Sequence, residues 1–91
     1  MKRIITFGNH SAELYAGEYR AALYTDEKEL PVELADALNE AGDIYVHNIG
    51  IMVNGFGVIG MTHDLPASEL LAEVCDAITL VYDTDTTVSN A

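Results

Sequence analysis

Three histidines and one cysteine are the side chains best suited to metal binding in this sequence. His10, His47 and His63 are the only imidazoles, and none lies within one helical turn of another. His63, Asp64 and Cys75 could converge in a fold, but their spacing does not require it, whereas zinc sites usually repeat their ligands at short intervals. We therefore expect no metal and no cofactor, histidines that bond to backbone or water, and a Cys75 that serves as a small core residue.

A glycine-rich hexapeptide, GFGVIG at residues 55–60, matches the spacing G-x-G-x-x-G of dinucleotide-binding loops. In those loops the glycines let a pyrophosphate approach the N-terminus of a helix that follows the first strand of a doubly wound sheet. Here the next predicted helix starts only near Pro66, and Asn54-Gly55 is typical of a tight hairpin turn. The hexapeptide therefore predicts a glycine-rich β-hairpin.

The segment ITLVYDTDTT at residues 78–87 places two aspartates after a hydrophobic run. It resembles the first motif of haloacid-dehalogenase-type phosphatases, a strand followed by D-x-D-x-T. The resemblance would imply a nucleophile at Asp83 and a general acid at Asp85. The lysine and acidic motifs that hold phosphate and magnesium in that family are absent from the 91 residues. We therefore expect a polar C-terminal segment, and we assign no catalytic residue.

The charge of the chain is strongly negative and unevenly placed. Fifteen Asp and Glu stand against four Lys and Arg, which gives a formal net charge of −11. Residues 1–28 contain all four basic residues and four acidic ones, whereas residues 29–91 contain eleven carboxylates and neither Lys nor Arg. Such a surface repels phosphates, so we expect neither direct nucleic-acid binding nor binding to an anionic membrane.

Composition predicts a folded domain in a reducing compartment. Hydrophobic residues make up 49% of the chain and charged residues 21%, which is too apolar for a disordered acidic tail. The single Cys75 cannot form an intrachain disulfide, which favours a cytoplasmic location. Residues 44–62 carry no charge, but they contain four glycines, His47 and two asparagines, so we expect no membrane span.

Hydrophobic periodicity in the first half of the chain predicts strands and then a helix. Residues 3–7 form a β-branched and aromatic run that predicts a strand. Residues 12–25 fit either a strand or a helix, and Gly17 with three tyrosines favours a strand. Residues 31–41 predict a helix, because Pro31 suits the first helical position and apolar residues recur every three or four positions.

The second half of the chain predicts a hairpin, a helix and a tail. Residues 44–61 predict two strands around Asn54-Gly55, and their long apolar run favours a central place in the sheet. Apolar residues spaced three and four apart after Pro66 predict a second helix. Residues 78–82 alone would also fit a strand, but the carboxylates that continue opposite the apolar face favour the helix. Residues 84–91 predict a frayed tail.

Two similar peptides favour a repeated order of elements. LPVEL begins at Leu30 and LPASEL at Leu65, and each opens a predicted helix after a predicted hairpin. We therefore expect an α+β fold of the order ββαββα, in which a small antiparallel sheet carries two amphipathic acidic helices. The expected domain covers residues 1–83, followed by a flexible C-terminal tail at residues 84–91.

The carboxylates of both predicted helices fall into rows. In the first helix they are spaced four, three, four and three residues apart, which places them within about 80° of arc. The second helix follows the same rule. The predicted partner-binding residues are Glu29, Glu33, Asp36, Glu40, Asp43, Glu69, Glu73, Asp76 and Asp83. Like charges at these spacings cost a helix a few tenths of a kcal/mol per pair, so the rows are either a solvated face or a binding surface for a basic partner.

A small single-domain chain with dense carboxylates and no catalytic constellation resembles the acidic inhibitors encoded by phages and mobile elements. Anti-CRISPR and anti-restriction proteins are the best known of these. The resemblance extends over the whole chain through size, charge and layout, and it includes no shared motif. It implies a non-enzymatic protein whose partner is a basic protein surface, the nucleic-acid- or guide-binding groove of a nuclease complex.

A second hypothesis comes from the uncharged segment. The apolar strands within residues 44–62, together with Tyr15, Tyr19 and Tyr24, would form the interface of a homodimer. The protein would then be a self-associating structural or accessory module without ligand chemistry. A dimer insensitive to salt would favour this hypothesis over the acidic inhibitor.

Overall fold

The computed structural model describes residues 1–26 and 32–90 as an antiparallel β-sheet with two helices on one face. The elements in chain order are β1 (Lys2–Phe7), β2 (His10–Ala16), β3 (Arg20–Thr25), α1 (Val32–Glu40), β4 (Ile44–Ile51), β5 (Gly57–His63), α2 (Ala67–Tyr82) and β6 (Thr86–Asn90). The strands lie in the order β4-β5-β3-β2-β1-β6. Each neighbouring pair is antiparallel.

The predicted order ββαββα was wrong, because the structure has the order βββαββαβ. Residues 12–25, predicted as one strand, contribute to two. The chain turns after β2, where the Gly17 N–H donates to the Arg20 carbonyl at 2.7 Å. Residues 86–90, expected in a frayed tail, form β6 and pair with β1. The β-branched residues Thr86, Thr87 and Val88 favour a strand, but the polar, terminal position of the segment was interpreted as a tail.

The predicted hairpin around Asn54-Gly55 is confirmed, but its place in the sheet is not. Strand β4 lies at one edge of the sheet, and β5 separates it from β3. The turn is a three-residue loop in which Met52 N–H donates to the Phe56 carbonyl at 2.7 Å. Gly55 has a positive φ of 88°, whereas Asn54 does not have a positive φ. The Oδ1 atom of Asn54 accepts the Phe56 N–H at 3.1 Å.

One sheet face and the facing sides of both helices form the core. In β2, β3 and β5 alternate residues are buried, as period-two packing requires, and in the helices most buried residues recur every three or four positions. The largest of these buried side chains are Ile5, Phe7, Leu14, Leu23, Leu34, Leu38, Ile59, Met61, Leu70, Val74 and Ile78. Each aliphatic side chain of this kind contributes about 1.5–3 kcal/mol through burial. Both predicted helices are confirmed within the described residues.

Among the described elements, no helix covers the opposite face of the sheet. Tyr15 and Tyr24 lie side by side on this face and pack edge to face, with ring centroids 5.6 Å apart. The Lys2 Nζ lies 5.3 Å from the centre of the Tyr15 ring. Hydrogen bonding to Tyr15, followed by the charge of Glu13, raises the pKa of Lys2. Tyr19 lies apart from this pair in the exposed β2–β3 turn.

In the part of the chain that the structure describes, neither helix has the length and apolarity that crossing a bilayer requires.

Candidate protein-binding groove

Helix α1 places three of its carboxylates beside α2. Its buried residues, Leu34, Ala35 and Leu38, face the core. Glu33, Asp36 and Glu40 flank that buried face and are exposed. Because they are spaced three and four residues apart, they form one row along the helix. This row borders a groove between the two helices.

The groove has a volume of about 580 Å³ and two chemically different walls. Its lining residues are Glu33, Asp36, Ala37, Glu40, Leu80, Val81 and Tyr82. Helix α1 supplies the carboxylates, and the last turn of α2 supplies the apolar and aromatic surface. Leu80 is 71% exposed and adds apolar surface to this wall. The groove therefore combines negative charge with apolar surface.

Leu80 lies on the predicted acidic row of α2. It follows Asp76 by four residues and precedes Asp83 by three, so it continues the spacing of that row. Leu80 is missed when only the carboxylates of the row are counted, although its spacing identifies it. Glu69, Glu73 and Asp76 lie on earlier turns of α2 and do not line the groove. The two rows therefore meet only where α2 ends.

Two of the remaining predicted residues, Asp43 and Asp83, lie just beyond helix ends. Glu29 falls outside the described residues. Asp43 follows α1 in the turn before β4 and borders a separate depression of about 600 Å³, together with Tyr45 and His63. Asp83 caps α2 in a left-handed conformation, with φ 53° and ψ 48°, and its N–H donates to the Thr79 carbonyl at 2.9 Å. The groove therefore brings together three of the nine predicted residues.

Among the residues that the structure describes, no Lys or Arg contacts the groove carboxylates. Within residues 1–26 and 32–90, no Lys or Arg nitrogen lies within 4.0 Å of a carboxylate oxygen. The ion pair found there joins His10 Nδ1 to Asp26 Oδ1 at 3.2 Å, and it lies between β2 and the end of β3. Negative charge on α1 is therefore open to a basic side chain from another molecule.

The histidines bond within the fold or lie at the surface. His63 is buried; its Nε2–H donates to the Gly17 carbonyl at 3.0 Å, and its Nδ1 accepts the Leu65 N–H at 3.1 Å. The expectation of a backbone-bonded histidine is confirmed for this residue. His47 is exposed beside a bulge in β4. Among the described residues, no three His, Cys, Asp or Glu side chains converge as metal ligands would.

The segment with the D-x-D-x-T spacing is helical in its first half. Residues 78–82 form the last turns of α2, and Asp83 caps that helix. The strand that places both aspartates in the phosphatase motif is therefore replaced by a helix end.

Cys75 lies on α2, half-buried and packed against the core. Burial raises the pKa of this thiol, and a hydrogen bond with Thr86 opposes the shift. A raised pKa keeps the thiol protonated and weakly nucleophilic at neutral pH. The arrangement is that of a small packed side chain, as the sequence analysis expected.

The groove between α1 and α2 is thus the site where a predicted acidic row meets exposed apolar surface. It offers carboxylates for basic groups and Leu80 for apolar contact, and its residues include no nucleophile held by a base. Relatives offer no independent guide to this site. No protein-family model matches the sequence, and neither a curated protein nor a solved structure matches the chain at a significant level.

Proposed function

We propose that this protein is a non-enzymatic acidic inhibitor that binds a basic, nucleic-acid-binding surface of another protein. The partner would be a complex such as a CRISPR or restriction nuclease, and the inhibitor would occupy the surface that normally holds nucleic acid. The observation that carries the proposal is the groove between α1 and α2, in which Glu33, Asp36 and Glu40 face Leu80.

The charge of the groove supports a basic partner. Three carboxylates along one helix resemble the regular negative charge of a phosphate row, and no Lys or Arg of the described residues pairs with them. A Lys- or Arg-rich surface would be drawn to this row from a distance and would bind less well as salt rises.

The apolar wall supports a protein partner over a free cation. Leu80 and Val81 line the groove opposite the carboxylates. A partner that buries Leu80 while it pairs with the carboxylates would gain hydrophobic contact at the centre and charge contacts at the rim, as protein interfaces commonly do. A cytoplasmic location is part of the proposal, because a lone free thiol at Cys75 suits a reducing compartment.

A charge-reversed groove tests the proposal. We expect the variant Glu33→Lys, Asp36→Lys, Glu40→Lys to lose the partner in a tagged pull-down from bacterial lysate, while its thermal stability is unchanged or raised. The matched control reverses three exposed carboxylates outside both rows, Glu18→Lys, Asp64→Lys, Asp85→Lys, with the same change in net charge. This control should retain the partner at low salt.

The pull-down is repeated at high salt and analysed by mass spectrometry. Recovery of a nucleic-acid-binding protein that is lost at high salt and lost with the groove variant would support the proposal. Equal recovery of the partner by the groove variant and its control would contradict the proposal, because total charge rather than the groove would then explain binding. A further variant, Glu69→Lys, Asp76→Lys, decides whether the α2 row takes part.

A further inference from the structure

Strand β4 exposes an edge of the sheet that is uncharged along its whole length. Its eight residues, IYVHNIGI, include no Asp, Glu, Lys or Arg. Natural proteins usually protect such edges with charges, proline, bulges or cover from another element. The first half of β4 has two of these protections. A bulge lies between Val46 and Asn48, and the Val46 N–H donates to Oδ1 of Asn39 at 2.8 Å.

The second half of β4 has neither protection. The register pairs Asn48 with Gly60 and Gly50 with Val58, and Met52 bonds across to Phe56 at the turn. In an antiparallel pair, successive residues direct their backbone groups alternately towards and away from the neighbouring strand. The N–H and C=O groups of Ile49 and Ile51 therefore point away from β5, towards the open edge.

Exposed apolar side chains surround these backbone groups. Ile49 is 41% and Ile51 59% exposed, although residues earlier in β4 on the same face are covered by α1. At the hairpin tip, Met52, Val53 and Phe56 are exposed as well. We call residues 48–53 and Phe56 the β4 edge patch. Ile49 and Ile51 lie opposite the buried Ile59 and Gly57, on the helix-bearing side of the edge. Exposed apolar side chains clustered in this way mark an interaction surface.

The patch continues onto the uncovered sheet face. Met52 and Phe56 line a groove of about 530 Å³ that also includes Tyr15 and Tyr24. A specific interface needs about 1,000 Å² of buried surface, and pairing two copies of the patch would remove the exposed apolar side chains of both from water. The opposite edge strand, β6, differs because Thr, Ser and Asn make up most of it.

We infer that the β4 edge patch binds the same patch of a second copy, with the two β4 strands antiparallel across a two-fold axis. Pairing the patch with itself buries no charged side chain, whereas a basic partner would have to bury its own charges against the patch. An antiparallel pair about a two-fold axis is self-complementary, so each strand supplies the donors and acceptors that the other needs. This inference goes beyond the proposed function, because it uses a surface separate from the acidic groove.

Sedimentation velocity over a dilution series tests the inference. We expect a dimer whose fraction rises with added NaCl, because salt screens the repulsion between two chains of net charge −11. The salt response of the acidic groove has the opposite sign, so failure of one proposal is distinguishable from failure of the other. Hydrogen exchange should slow at the Ile49 and Ile51 amides as protein concentration rises.

A lysine in the patch should separate the copies. We expect Ile51→Lys to weaken dimerisation about tenfold or more. Val88→Lys is the matched control, since Val88 is 40% exposed on the other edge strand, and it should leave the dimer intact. Val53→Lys repeats the test at a fully exposed side chain, where loss of folding is not a concern. Any one of three results would overturn the inference. These are a monomeric wild type, a dimer that survives both patch variants, and a dimer whose Ile49 and Ile51 amides are not protected from exchange.

Discussion

At the scale of single residues, His63 joins two parts of the chain that are far apart in sequence. Its ring bonds to Gly17 in the β2–β3 turn and to Leu65 before α2. Because Leu65 N–H donates to Nδ1, the proton of the neutral ring resides on Nε2, which donates to Gly17. The backbone of His63 adds a second link, since its N–H donates to the Tyr19 carbonyl at 2.9 Å. This histidine therefore holds the turn against the sheet.

We expect His63→Ala to lower the free energy of unfolding by about 1–3 kcal/mol, because it removes a buried side chain and leaves the Leu65 N–H and the Gly17 carbonyl without their partner. His47→Ala is the control, since His47 is exposed and its replacement should change the free energy of unfolding by less than about 0.5 kcal/mol. Urea denaturation of both variants measures the difference. Equal stability of the two variants would contradict the role given to His63.

Cys75 offers a prediction about pH. Burial raises the pKa of its thiol, so the protonated form is favoured in the folded state. Its contribution to stability is therefore present below the unfolded thiol pKa and is lost as pH rises through the higher folded pKa. We expect Cys75 to react with a disulfide reagent more slowly in the folded chain than in denaturant, with a rate midpoint at a higher pH than in the denatured chain. A rate midpoint at or below the pH found for the denatured chain would contradict the raised pKa of Cys75.

At the scale of elements, the β4–β5 turn depends on one glycine. Gly55 has φ 88°, a conformation that is strained for any residue with a Cβ. Its N–H donates to the Met52 carbonyl at 2.8 Å, which closes the loop. Gly50, in contrast, lies in β4 without a positive φ, and a Cβ added there meets no atom within 4 Å.

We expect Gly55→Ala to destabilise the protein by about 1–2 kcal/mol through backbone strain. Gly50→Ala should be neutral or stabilising by up to about 1 kcal/mol, because alanine loses less conformational freedom in a strand than glycine does. Thermal or urea unfolding of the two variants gives the comparison. If both substitutions had the same effect, strain at Gly55 would not be the cause.

At the scale of the whole molecule, charge is divided between regions. The described basic residues, Lys2, Arg3 and Arg20, lie in β1 and β3, whereas both helices carry carboxylates and no Lys or Arg. The helices therefore repel each other's charges without basic contacts to offset the repulsion within the described residues.

We expect added NaCl to raise the melting temperature, because screening relieves this repulsion and has few attractive pairs to weaken. Like-charged pairs along α1 and α2 together amount to about 1 kcal/mol, which corresponds to roughly 4–8 °C in a domain of this size. The variant Glu33→Gln, Asp36→Asn, Glu40→Gln should melt higher at low salt and respond less to NaCl. A melting temperature that falls with salt would show that attraction, not repulsion, dominates.

Local patterns predicted the elements whose signals lie within one segment. Both helices were predicted from the spacing of their apolar residues, because helical periodicity is local. These residues are Leu34 and Leu38 in α1 and Leu70, Val74 and Ile78 in α2. Asn54-Gly55 was enough for the hairpin, because turn geometry depends on adjacent residues. The row of Glu33, Asp36 and Glu40 on one helix face also followed from spacing alone.

The tertiary structure decided which elements meet. Strand β6 pairs with β1, and although Thr86, Thr87 and Val88 suit a strand, nothing within residues 86–90 identifies that distant partner. The apolar run of β4 predicted a central strand, yet its second half lies exposed at an edge of the sheet. Hydrophobicity indicates that a segment makes apolar contacts, but it does not specify which segment it contacts. The groove likewise arises because α1 packs beside the end of α2 and brings Leu80 opposite Glu33. Sequence by itself determined the charge, the helices and the hairpin; packing between distant segments decided the strand order and the groove, because those contacts depend on residues far apart in the chain.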